Sequence, residues 1–69
     1  MTHYSTTVEL MGQNFTLEVW HDQDDGETVV GVYGAGGECQ LDVLYLDISW
    51  QMALAKAICL HHHHLLVTG

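Results

Sequence analysis

Residues 4–21 read YSTTVELMGQNFTLEVWH, and the alternation in this stretch decides the fold. In its first half Tyr4, Thr6, Val8 and Leu10 point one way, and Ser5, Thr7, Glu9 and Met11 the other, which is the period of a half-buried strand. In its second half Phe15, Leu17, Val19 and His21 alternate with Thr16, Glu18, Trp20 and Asp22. Between them Gly12-Gln13 fits a two-residue hairpin turn with glycine in the first central position. That turn pairs Leu10 with Phe15, Val8 with Leu17, Thr6 with Val19 and Tyr4 with His21, so the apolar residues of both strands share one face. A slip of one residue would scatter them over both faces.

Outward from this hairpin, Asp22-Gln23-Asp24-Asp25-Gly26-Glu27 is a turn, with Asp25-Gly26 as its hairpin signal. Centred there, the next pairing sets Val19 opposite Val32 and His21 opposite Val30 on the inner side. On the outer side it sets Glu18 opposite Tyr33 and Trp20 opposite Gly31, where an indole can cover bare backbone. Gly34-Ala35-Gly36-Gly37 is a flexible connection. In the strand that follows, Leu41, Val43 and Tyr45 share one face, and Gln40, Asp42 and Leu44 the other. From Asp47 the period becomes helical: Trp50, Leu54, Ala57, Ile58, His61 and Leu65 recur at helix spacing, with Asp47 or Ser49 as the cap. The expectation is one α+β domain over 1–69. It is an antiparallel three- to four-stranded meander of β-hairpins (strands 4–11, 14–21, 27–33 and 38–46) packed on one C-terminal helix over 48–65.

Hydrophobic residues make up 48% of the 69, enough to fold and too many for a disordered chain, though so short a domain has a thin core. Charge is the outlier. Nine carboxylates face one cation, Lys56, there is no arginine, and the formal net charge is −8. Such a chain repels nucleic acid and anionic membranes and is steered toward basic protein surfaces. Met1-Thr2-His3-Tyr4 has no basic region leading into an apolar run, so no signal peptide is expected. The apolar stretch Met52 to Leu60 contains Lys56 and is too short to cross a bilayer. Cys39 and Cys59 are too few for a disulfide framework, and the expected location is the cytoplasm.

The carboxylates are the first candidates for function. Glu9, Glu18, Asp22 and Asp42 fall on the outer sheet face; Asp24, Asp25 and Glu27 crown the turn, with Glu38 and Asp47 expected nearby. Residues two apart on a strand are about 6.6 Å apart, a spacing comparable to that of phosphates along one DNA strand. A rigid sheet can therefore present carboxylates to a basic groove in place of phosphates. Trp20 and Tyr33 fall on the same face, and aromatics among charges are typical interface anchors. The plain alternative is a solvated acidic face. Of His61-His62-His63-His64 only His61 and His64 share a helix face. Zinc needs further ligands, and the sequence supplies no obvious set, so neither a metal nor a cofactor is expected. A partly buried His61 is the simpler reading. No catalytic residue is assigned: a thin two-layer domain has little room for the pocket that paired carboxylates need. Nothing requires Cys39 and His21 to meet, and a buried Cys39 is expected.

The length, the absence of arginine, and Glu18, Asp22, Asp24, Asp25 and Glu27 around one hairpin resemble the small acidic anti-CRISPR proteins of phages, notably the type I inhibitors that mimic DNA. The resemblance is one of composition and architecture, not of motif. It implies a monomeric viral inhibitor in the host bacterial cytoplasm that binds a basic DNA-recognising surface, such as a Cascade subunit, without touching nucleic acid itself. The reading of the acidic face and turn, not the resemblance, supplies the protein-binding residues: Glu18, Asp22, Asp24, Asp25, Glu27, Glu38 and Asp42, with Trp20 and Tyr33 as anchors. Three strands followed by a helix, with Asp24-Asp25-Gly26 in the middle turn, also look like HicB-type antitoxins, although the basic residues of that fold are missing here. The alternatives are therefore an acidic antitoxin-like or other phage host-takeover module, and a histidine-dependent metal-binding or self-associating (dimeric) module.

Overall fold

The computed structural model describes residues 1–68. Its elements are β1 (Thr2–Leu10), β2 (Gln13–Asp22), β3 (Glu27–Tyr33), β4 (Cys39–Leu46) and α1 (Trp50–Thr68). The four strands form one antiparallel sheet in the order β1-β2-β3-β4, and α1 packs on one face of it. This is the α+β meander expected from the sequence, with all four strands in the sheet.

The faces are as the alternation requires, but both hairpin registers differ from expectation by two residues. In the first hairpin Leu10 pairs with Gln13, so Val8 meets Phe15, Thr6 meets Leu17 and Tyr4 meets Val19. The turn is Met11-Gly12, not Gly12-Gln13. Both residues have positive φ (52° and 78°), the signature of a type I′ turn, whose twist matches that of the flanking strands. In the second hairpin Asp22 pairs with Glu27 across a four-residue loop. The loop opens with the Asp24 N–H donating to Asp22 Oδ1 (3.0 Å) and closes on Gly26 at φ 68°. Val19 therefore meets Val30, Leu17 meets Val32 and Glu18 meets Gly31, while Trp20 lies opposite Val29 rather than Gly31. A shift of two residues conserves the face of every side chain, so alternation cannot detect it.

The core is the inner sheet face and the stripe of α1 that covers it. Phe15, Leu17, Val19, Val30, Val32, Ala53 and Ala57 are buried, flanked by Tyr4, Val8, Leu41, Tyr45, Trp50, Leu54 and Ile58. The helix approaches through Ala53, Ala57 and His61, spaced four apart, because two alanines let its backbone come close to β2 and β3. Trp50 lies flat on Tyr4, with ring centroids 4.0 Å apart.

The helix begins at Trp50 because Ser49 caps it: Ser49 Oγ accepts from the Met52 N–H at 3.1 Å. Asp47 does not cap. It turns the chain with φ 59°, and its N–H donates to the Gly26 carbonyl at 2.9 Å, tying the end of β4 to the β2–β3 loop. Past Leu65, Leu66 and Val67 continue the helix, and the Thr68 hydroxyl donates to the His64 carbonyl (2.8 Å). No helix among the described residues is long and apolar enough to cross a membrane.

Candidate protein-binding face

The face of the sheet opposite α1 is open, and strand pairing arranges it in rows. Beside the β2–β3 loop, Asp22 and Glu27 are paired and continue to Leu46. The next row is His3, Trp20, Val29 and Leu44, and the one after it Ser5, Glu18, Gly31 and Asp42. Thr7, Thr16 and Tyr33 follow, with Cys39 opposite Tyr33 beyond a register shift. One row is therefore apolar and two are acidic. Leu44 ends that apolar row 53% exposed, and Leu46, at the end of the Asp22–Glu27 row beside it, is 58% exposed. The carboxylates do not form an even ladder along the strands. They bracket a band of Trp20, Val29 and Leu44.

All nine carboxylates precede α1, and the lone cation, Lys56, is in the helix. Five of the nine, at Glu9, Glu18, Asp22, Glu27 and Asp42, are on the outward side of the strands. Asp24 and Asp25 extend the acidic end as an exposed loop. Glu38 is not near that loop. It lies in the β3–β4 connection at the other end of the sheet, where Gln40 Nε2 donates to its Oε1 (3.1 Å). Its carboxylate folds over Gly34, leaving no room for a β-carbon there. Backbone and Gln40 hydrogen bonds hold its pKa below the ordinary carboxylate value. Glu38 is thus occupied in shaping the connection.

Trp20 and Glu18 are held by a residue the sequence reading passed over. His3 stacks on the Trp20 indole (centroids 5.2 Å apart, planes 10° off parallel), and its Nε2 donates to Glu18 Oε2 at 3.0 Å. The signal was the outward parity of position 3, visible only once Trp20 is known to pair with it. Tyr33 has a different role from the one expected. Its own ring, rather than the indole, covers Gly31: a β-carbon there would sit 2.9 Å from Tyr33 Cε2. The ring therefore lies on the Glu18–Gly31–Asp42 row. Burial, then the charges of Cys39, Asp42 and Glu18, push the Tyr33 phenol pKa up. Thr16, Glu18, Trp20, Tyr33 and the backbone of Gly34, Ala35 and Gly37 enclose an open groove of about 390 Å³.

The remaining candidates separate. Cys39 is exposed, contrary to expectation, because it starts β4 on the outward side opposite Tyr33. His21 faces the helix side, hydrogen-bonded to the buried Thr28 hydroxyl at 2.7 Å, so the two share neither face nor end of the sheet. His61 is 1% exposed, edge-on to Phe15, and neither of its ring nitrogens has a hydrogen-bond partner. His62, His63 and His64 are exposed. Among the described residues no three His, Cys, Asp or Glu side chains gather as a metal site. Compared with family models, curated proteins and solved structures, the chain matches none.

Proposed function

We propose that this chain is an acidic protein-binding inhibitor, whose open sheet face docks on the basic, nucleic-acid-binding surface of another protein and excludes the nucleic acid. One observation carries the reading: an apolar band, Trp20–Val29–Leu44, bracketed by the Asp22/Glu27 and Glu18/Asp42 rows on the face away from α1, which no other element among the described residues covers. Protein interfaces have this anatomy, an apolar centre excluding water inside a charged rim. The rim is acidic, so it selects basic partners and speeds encounter with them. Asp24 and Asp25, beyond the rim, add to steering. By resemblance, the target class is the DNA-recognising surface of a type I CRISPR surveillance complex in a bacterial cytoplasm.

The test is displacement of labelled target DNA from such a purified complex, followed by fluorescence anisotropy at low and high salt. The wild-type chain should release DNA competitively, less so as salt rises. Glu18→Lys/Asp42→Lys should release none while keeping its circular dichroism. DNA binding that persists at saturating wild-type chain removes this target. Capture from nuclease-treated lysates that returns no basic nucleic-acid-binding protein at low salt removes the inhibitor reading itself.

A second reading, self-association, is favoured by the outer side of α1, where Met52, Leu60, Leu66 and Val67 are exposed and no carboxylate is present. Two copies meeting there would bring none of their acidic residues face to face. Sedimentation that rises with concentration in the wild type, but not in Leu60→Lys, would establish it; a constant monomer mass would exclude it.

A further inference from the structure

We propose that the groove between Trp20 and Tyr33 is a site for a guanidinium group, an arginine side chain of the partner, stacked against these rings and held by the Glu18 carboxylate. This deepens the docking reading above and rests on it. The walls are two aromatic side chains, and the polar groups between them are one carboxylate and the Thr16 hydroxyl. Aromatic faces attract cations, and a planar guanidinium gains from stacking as well as from charge. The open volume, about 390 Å³, is in the range of sites that take a whole side chain rather than a single ion.

The charge arrangement fits the same occupant. Glu18 and Asp42 stand on either side of Gly31 in one row, about 9.6 Å apart at the backbone for strands spaced about 4.8 Å apart. The Tyr33 ring lies on Gly31 between them. A cation on that ring has a carboxylate on each flank, and the one lysine or arginine of the sequence, Lys56, is on the helix behind the sheet. The groove is also held in shape before anything binds. His3 backs the indole and takes only Oε2 of Glu18, leaving Oε1 free to accept from a guanidinium fork. Glu38 fixes the Gly34–Gly37 rim. Gly31 is what allows the tyrosine ring to come this close to the strand.

The experiment is an amide and indole NMR titration of the full chain with N-acetyl-arginine amide, N-acetyl-lysine amide and a short polyarginine peptide. The arginine probe should shift the Trp20 indole and the Glu18, Gly34, Ala35 and Gly37 amides saturably, leaving the Trp50 indole unmoved. The lysine probe should bind more weakly by on the order of five-fold, for lack of stacking. Glu18→Gln should lose the response. Gly31→Ala, whose methyl lifts the Tyr33 ring without altering charge, should lose it too, its dispersed spectrum reporting that it is folded. Equal shifts with arginine and lysine probes, an undiminished response in Glu18→Gln, or no groove shifts at all would overturn the site. If the polyarginine peptide binds the acidic face without moving groove resonances, the site falls and the docking face stands. If the peptide does not bind, both fall.

Discussion

Replacing His61 with leucine should stabilise the protein and remove part of its sensitivity to acid. The imidazole is 1% exposed at the seam between α1 and β2, and both nitrogens lack a hydrogen-bond partner. A buried unsatisfied polar group costs about 1–3 kcal/mol. Leucine removes that cost and keeps an apolar side chain in the gap. Against this stand the lost edge-on contact with Phe15, centroids 4.7 Å apart, worth about 0.5–1.5 kcal/mol, and some repacking. The expected net gain at neutral pH is about 1 kcal/mol, worth about 4–8 °C in melting temperature for a domain this small. The pH dependence follows from the same burial, which, with His64 beside it, holds the His61 pKa below its ordinary value. The unfolded chain therefore takes up the proton first. Native stability is undiminished by this residue above about pH 6.5 and erodes as pH falls toward the depressed folded value. Urea denaturation of wild type and His61→Leu at pH 7.5 and 5.5 reads both effects, because every other titrating group is common to the two chains. The reasoning is refuted if the variant is less stable at pH 7.5, or if it loses as much stability on acidification as the wild type.

Three further outcomes are expected. Met11→Asn should stabilise by about 0.5–1 kcal/mol in the same assay, since Met11 holds φ 52° in a type I′ turn that favours asparagine there. Ser49→Ala should cost about 1 kcal/mol by leaving the Met52 N–H without its cap, and lower the melting temperature by about 4–8 °C. Added sodium chloride should raise the melting temperature, because nine carboxylates repel one another across the sheet and its loops with only Lys56 to oppose them; a flat or falling response would contradict that.

The sequence by itself determined which residues face the core. In a strand each side chain has only two directions, so the alternation of Phe15, Leu17 and Val19, or of Leu41, Val43 and Tyr45, assigns the inner face without reference to a partner. It likewise put Glu18, Trp20, Tyr33 and Asp42 together on the outer face, and the change of period after Asp47 marked the helix. The tertiary structure decided which of these residues touch. Both hairpins close at a register two residues from the one inferred, and a two-residue shift leaves every face unchanged while replacing every neighbour. That is why Tyr33 rather than Trp20 covers Gly31 and why His3 comes to back Trp20. Turn geometry sets register, and it depends on positive φ at Met11, Gly12 and Gly26 and on the Asp22 side chain accepting from its own loop. Such local torsions leave only a faint trace in composition, whereas the burial of alternate side chains is written into every second residue.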